Sequence, residues 1–465
     1  MTLPATGLPR LSTLEKAFLI GASIAVLAFG ALVVKRSAYG SIRRTDAGVY
    51  FRAAWAVREA RNMYDAVDDN RWHYVYPPLF AITMAPFADP PAGEPREGYL
   101  PYPVSVAVWY LVSLGTVLLA SHLFAKALEE TWRARAEPAP TWHTREWWSL
   151  RVWPVVAALP DVGSTLSRGQ VNTLVLLLIA AAAHALARRR SAAAGTWISA
   201  AACVKVIPAF LMLYAIVRPN ARMITGFATG CVLGLVVVPC ATLGPSRALE
   251  STRLWVTQVA LPGLGDSNDT SRKEELTGFR GSSSQSIQYV LHNATHWRLP
   301  PHERPDECAP WVRVAHLTIG GAWTVLTCVL LRRRLAASAE ARGAVDPTPL
   351  EIVLSLGVLT QAMLLVSPVT HVPYYALLMP VYAGLTFASL DRATGRPSRA
   401  AMLTLLAFAG ALSLSKLRGL APHSAPSGNV LRDFGWIPLV GVAAWALALR
   451  TMARAETAPA SLSAP

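Results

Sequence analysis

The chain has 465 residues, 53% hydrophobic and only 15% charged, whereas a soluble globular domain carries about 25% charged residues. That balance excludes an ordinary soluble enzyme and points to an integral membrane protein. The net charge of +15 would suggest nucleic acid in a soluble chain; here the arginines stand in short clusters between apolar runs, the pattern of topology signals.

The first apolar run, Ala17–Val34, is followed by Lys35 and Arg36 rather than by small residues, so it reads as a span and not as a cleavable signal. Nine more runs read as spans: Val104–Phe124, Val152–Leu166, Val171–Ala187, Met223–Leu243, Val312–Leu331, Ile352–Val366, Pro373–Leu390, Ala401–Leu414 and Trp436–Leu449. Several are shorter than the roughly 20 residues a crossing needs. They must borrow flanking residues or sit in a thinned bilayer.

A further run, Gly195–Val217, admits two readings, a full crossing or a re-entrant hairpin. It carries Lys205 at its centre and Pro208 just beyond. A lysine at mid-bilayer is costly unless it faces a cavity, and proline breaks a helix. Arg188–Arg190 precede the run, and Arg218 and Arg222 follow it. If both clusters are cytoplasmic, the chain enters and returns with Lys205 at the tip, on arms of about 15 Å. The same choice puts Arg10, Lys16, Arg332–Arg334, the Asp391–Arg399 loop and Arg450–Arg454 inside. Lys35–Pro103, Ser167–Gln170, Gly244–Trp311, Ser367–His371 and Ser415–Asp433 then face outward.

The expected fold is therefore all-α and polytopic, about ten transmembrane helices plus a re-entrant hairpin. Residues 1–455 form one membrane domain, the outer loops 35–103 and 244–311 form a cap over the active site, and 456–465 is an Ala/Pro/Ser-rich disordered tail. The first outer loop breaks the charge rule with Arg43, Arg44, Arg52, Arg58, Arg61 and Arg71, which suggests phosphate binding or contact with lipid headgroups. The five cysteines have no CxxC or other metal spacing, so neither a disulfide framework nor a metal site is expected.

The polar residues with chemical potential gather on the outer side. Asp46 opens an amphipathic stretch and is either a helix N-cap or a general base for an acceptor hydroxyl. Tyr74–Phe80 contains Pro77 and Pro78, a rigid non-helical lead into an apolar stretch. Ser167-Arg168-Gly169-Gln170-Val171-Asn172 joins two spans almost without a loop. Its Gln170 and Asn172 either cap a helix or touch a sugar or phosphate, helped by Arg168. Lys205 is a flexible point charge suited to a phosphate, or else it snorkels to the interface. His371 can hold a phosphate or move a proton.

Together these motifs resemble the family 87 glycosyltransferases of the GT-C superfamily, which includes bacterial polyprenyl-phosphate-mannose-dependent mannosyltransferases and arabinofuranosyltransferases. The pieces are Asp46-x-x-x-Tyr50-Phe51-x-Ala53-Ala54, Tyr76-Pro77-Pro78, Gly169-Gln170-Val171-Asn172, Ala194-Gly195 through Lys205-Val206-Ile207-Pro208, Gln285-Ser286, and Ser367-Pro368 with His371 and Tyr374-Tyr375. The resemblance implies a GT-C-type bundle and inverting transfer of mannose or arabinofuranose from a polyprenyl-phosphate donor to a glycolipid or glycan acceptor. The setting would be the outer face of a multi-pass bacterial cell-membrane protein. It implies Asp46 as the base and Lys205, Arg168 and His371 at the donor phosphate. Tyr50, Tyr76, Gln170, Asn172, Gln285 and Ser286 would line the substrates. No metal, cofactor or nucleic acid is expected; membrane lipids are. A transporter or flippase of lipid-linked sugars is the rival, since it too would place a lysine in a broken mid-membrane helix.

Overall fold

A computed structural model describes residues 10–40, 45–264, 284–391 and 430–455, with 272, 275, 276, 278, 279, 407 and 410 between them. Among these the chain is helical, with isolated β-bridges but no strand. Six helices are long and apolar enough to cross a membrane: α1 (Thr13–Ala38), α4 (Tyr102–Ala134), α10 (Ala221–Leu243), α13 (Pro310–Arg342), α14 (Pro349–Val366) and α16 (Trp436–Ala455). The chain is thus an all-α polytopic membrane protein. The count of ten crossings is not reached by that measure among the described residues. The expected spans 152–166 and 373–390 are broken, each by prolines. The first runs as α5 (Arg145–Ala157) and α6 (Leu159–Arg168), with Pro154 and Pro160 near the break. The second opens as a 3₁₀ turn, Val372–Leu378, before α15 (Met379–Leu390). The expected span Ala401–Leu414, most of the loop after it and the tail 456–465 lie outside the described residues.

Helix α14 is the centre of the bundle, with 89% of its apolar window buried. It packs against α4, α7 (Asn172–Ala187), α13, α15 and α16. Thr348 and Glu351 start it with a capping box. Helix α1 is the opposite case, only 11% buried. It rests mainly on α4, and Phe18, Ile24 and Leu32 face outward as a lipid-facing stripe.

Several charge pairs tie the helix-connecting segments together. Glu15 meets Arg145 at 2.7 Å and Arg135 meets Asp391 at 2.9 Å. Asp346 holds both Arg189 (3.6 Å) and Arg218 (2.8 Å). Arg189 precedes Gly195–Val217 and Arg218 follows it, so the two ends of the run lie close together and the chain between them folds back on itself. Its first arm is α8 (Ser191–Val204), and its return is the 3₁₀ turn Ile207–Met212 followed by α9 (Leu213–Val217).

Helix α8 runs alongside α10 with small residues at the seam. Ala192, Ser199 and Cys203 face Gly226, Gly230 and Gly234, and Gly195 lies against the Met223 backbone, the spacing that lets membrane helices approach closely. A Cβ on Gly226 would stand 2.0 Å from the Ala192 carbonyl oxygen, a backbone atom that cannot swing away. Gly226→Leu is therefore expected to force the helices apart, at or above the roughly 1–3 kcal/mol of ordinary overpacking. Gly321, with nothing within 4 Å of its Cβ position, is the control. Thermal unfolding in detergent should show Gly226→Leu clearly lowered and Gly321→Leu nearly unchanged; equal midpoints would contradict the tight seam.

In the loop 35–103, Arg52, Arg58 and Arg61 are engaged within the loop itself. Arg52, 6% exposed, donates to the Asp89 and Val67 carbonyls and pairs with Asp69 at 3.1 Å and Asp89 at 3.5 Å. Arg58 lies over Tyr99, and Arg61 over Trp55 while pairing with Glu94. The charge-rule exception is thus, for these three, internal bracing of the loop rather than a phosphate site.

Candidate active site

The site begins at the α6–α7 corner. Gly169 ends α6 in the left-handed region at φ 65°, where glycine alone is unstrained. A Cβ there would also press on Ala47 and the Thr45 hydroxyl, each at 3.0 Å. The closeness is used. The Arg168 carbonyl accepts from the Asp46 backbone N–H (2.8 Å) and the Thr45 hydroxyl (3.0 Å), and Trp109 Nε1 donates to the Gly169 carbonyl at 2.8 Å. Arg36, at the end of α1, donates to the Ser167 carbonyl. The start of α2 (Ala47–Arg58) is thereby fixed on the corner.

Asp46 occupies the N-cap position of α2, yet its carboxylate makes no capping bond. Thr45 does that work, its hydroxyl accepting from the Ala47 N–H at 3.2 Å. The Asp46 carboxylate turns to the corner, where Oδ2 accepts from Gln170 Nε2 at 2.6 Å. Gln170 Oε1 accepts from Asn172 Nδ2 at 2.8 Å, and Asn172 Oδ1 accepts from Lys205 Nζ at 2.8 Å. Gln170 and Asn172 therefore do not cap α7, whose start has no side-chain cap.

Lys205 ends α8 in extended conformation, at the tip of the hairpin. It is 8% exposed, so its ammonium does not snorkel to the interface. The Tyr374 ring lies 3.3 Å from Nζ and the Tyr76 ring 5.8 Å. Among the described residues no carboxylate stands within ion-pairing distance of it. A buried charge without a counter-ion is costly, which suits a place kept for an anion.

The remaining predicted residues divide into two groups. Tyr50 and Tyr76 share a hydroxyl contact of 3.3 Å and pack edge-on with Phe80 beneath Asp46 and Lys205. Tyr50 is 1% exposed. Arg168 is exposed beside Asp46. His371 stands edge-on to Tyr374, ring centroids 5.6 Å apart, which puts it one ring from Lys205. Gln285 and Ser286 lie behind it. The Gln285 N–H donates to the Thr370 carbonyl at 2.6 Å, the Ser286 hydroxyl to the Pro368 carbonyl at 2.8 Å, and Ser284 bridges His371. They hold the His371 loop, and both are fully buried. Tyr374, the nearest ring to Lys205, was not among the predicted site residues, though it stands in the quoted His371–Tyr375 motif; Thr45 had no signal beyond preceding Asp46.

Burial pushes the Asp46 carboxyl above its ordinary range, although the Gln170 bond and the charges of Arg168 and Lys205 pull the other way. The carboxylate keeps a part-exposed edge within dense surroundings. A raised carboxyl is a better proton acceptor, and it works only while ionised, so its activity falls as pH drops through that raised value.

A family model described as glycosyltransferase family 87 matches residues 74–368. The match covers Tyr76, the corner with Gln170 and Asn172, the hairpin with Lys205, and Gln285-Ser286. Asp46 and His371 lie just outside it and join the site through the geometry above. No curated protein matches the chain.

Proposed function

The chain belongs to glycosyltransferase family 87, and on that premise we propose that it is an inverting enzyme using a polyprenyl-phosphate sugar. The sugar, mannose or arabinofuranose, passes to a hydroxyl of a glycolipid or glycan at the outer face of a bacterial cell membrane. The observation that carries this reading is Lys205: a buried cation with no counter-ion among the described residues, tied through two amides to a carboxylate. That is a place for a phosphate beside a place for a proton.

Asp46 takes the proton of the acceptor hydroxyl as its oxygen bonds to the anomeric carbon. The bond from that carbon to the phosphate oxygen breaks on the opposite face. The electron pair leaves with the phosphate, and the donor becomes a lipid monophosphate. Lys205 meets that growing charge, with Arg168 and His371 beside it, the preorganised cationic stabilisation that lowers such barriers most. Tyr50 and Tyr76 shape the floor, and Gln285 and Ser286 act by holding the His371 loop.

The donor class is tested by offering purified protein polyprenyl-phosphate sugars and the matching sugar nucleotides. Transfer from the lipid donors alone is expected; efficient transfer from the nucleotides would contradict the reading. The face is tested by single-cysteine labelling in intact cells. Cysteines near Asp46, Gln285 and His371 should react with an impermeant reagent, and those replacing Arg189 and Arg333 should not. Outside labelling at Arg333 would invert the topology.

A further inference from the structure

Gln170 and Asn172 were expected to touch substrate, but their side chains are committed elsewhere. Each spends one amide end on each neighbour, in the order Lys205, Asn172, Gln170, Asp46, at 2.8, 2.8 and 2.6 Å. The ends of this chain set its direction. An ammonium can only donate and an ionised carboxylate can only accept. With Lys205 donating into Asn172 Oδ1, the Asn172 amide must offer Nδ2 to Gln170 Oε1, which leaves Gln170 Nε2 for Asp46. Flipping either amide would set oxygen against oxygen or nitrogen against ammonium. Asn172 is wholly buried and Gln170 nearly so, so water cannot readily repair a flip.

We infer that Gln170 and Asn172 are positioning residues forming a directed hydrogen-bond relay, which fixes Asp46 by its Oδ2 and ties its basicity to the charge on Lys205. Among the described residues Oδ1 has no hydrogen-bond partner, so it is the oxygen left for the acceptor hydroxyl. The relay also gives the two substrates a means of coupling. While Lys205 is free, its charge polarises both amides toward Asp46 and steadies the carboxylate. When a donor phosphate shares that charge, the polarisation weakens and Asp46 becomes the stronger base as the donor is seated. Hydrogen bonds in such chains reinforce one another in this way. This inference rests on the proposed roles of Asp46 and Lys205.

The charged and titratable groups around Asp46 are Arg168 on α6, Lys205 at the hairpin tip, Asp68 in the first outer loop, Tyr50 on α2, and Tyr76 and Tyr374 from the flanking loops. Neutral substitutions at Gln170 and Asn172 add no charge beside any of them, so the relay can be tested alone. The readout is the pH profile of kcat/KM for the acceptor, in reconstituted protein with a polyprenyl-phosphate sugar. Asn172→Leu keeps the size and adds no charge but removes both the acceptor for Lys205 and the Nδ2 donor to Gln170. Gln170 is then cut off from the charge on Lys205. Gln170→Leu removes the donor to Asp46 outright. A carboxylate that loses a hydrogen bond to its charged form becomes easier to protonate. Both variants should move the acid limb to higher pH, by about one unit, or about tenfold less activity below the limb. Asn172→Leu keeps the readout available if Gln170→Leu fails to fold. An unmoved acid limb with a raised KM for either substrate would overturn the relay and return the amides to substrate contact. A wild-type profile whose acid limb survives Asp46→Asn would overturn the base itself, and the relay with it.

Discussion

Asp46→Asn lowers turnover by about 10²–10⁴-fold, the usual loss on removing a general base, while donor binding and thermal stability stay close to wild type. The structure makes this substitution unusually clean. An Asp at a helix start is commonly a cap, and its loss then costs about 1 kcal/mol. Here the carboxylate makes no cap bond, and Thr45 satisfies the Ala47 N–H instead. Asparagine also retains an oxygen to accept from Gln170 Nε2. The substitution therefore removes basicity and leaves the α2 start and the corner as they were. Steady-state transfer, donor binding and thermal unfolding on the same preparation check all three parts. Full activity in Asp46→Asn would place the base elsewhere.

Lys205→Met weakens donor binding at least a hundredfold and does not lower the thermal midpoint of the donor-free protein. Removing one partner of a buried ion pair costs about 3–5 kcal/mol, and with donor bound that pair is Lys205 and phosphate. Without donor, and among the described residues, Lys205 has no ion pair to lose, but a hydrogen bond to Asn172 and the faces of Tyr374 and Tyr76. Methionine fills similar space with no charge to desolvate, so the empty protein should be as stable or more so. Such an opposition, with function lost and stability kept, is expected where a strained group is retained for its work. Unchanged donor affinity would remove Lys205 from the phosphate site.

Much of this was legible in the chain. The arginine clusters on either side of Gly195–Val217 suggested a return to the starting side, and Asp346 holding both Arg189 and Arg218 is the geometric form of that suggestion. Lys205 stood out because a lone cation in an apolar run needs a reason. What could not be read was the partner of each side chain. Asp46 and Gln170 are far apart in sequence, and only the Gly169 turn, pressed against Thr45 and Ala47, brings them within 2.6 Å. Gln170, Asn172, Gln285 and Ser286 were equally polar on the page. Their division into relay and loop support depends on which backbone carbonyls and side chains happen to face them. The count of crossings was less legible for a related reason: apolar content sets where chain can enter a membrane, but prolines at 154, 160, 373 and 380 mark where the helices of two expected spans are interrupted or begin anew.

The most direct measurement of the central claim is acceptor-dependent release of polyprenyl monophosphate by purified protein in proteoliposomes, with product anomeric configuration read by NMR. Wild type should release one lipid phosphate per sugar transferred, with the anomeric configuration inverted, and Asp46→Asn should release almost none. Release of lipid phosphate without a glycosylated acceptor, retention of configuration, or equal rates in the two proteins would contradict transfer by Asp46 from a donor held at Lys205.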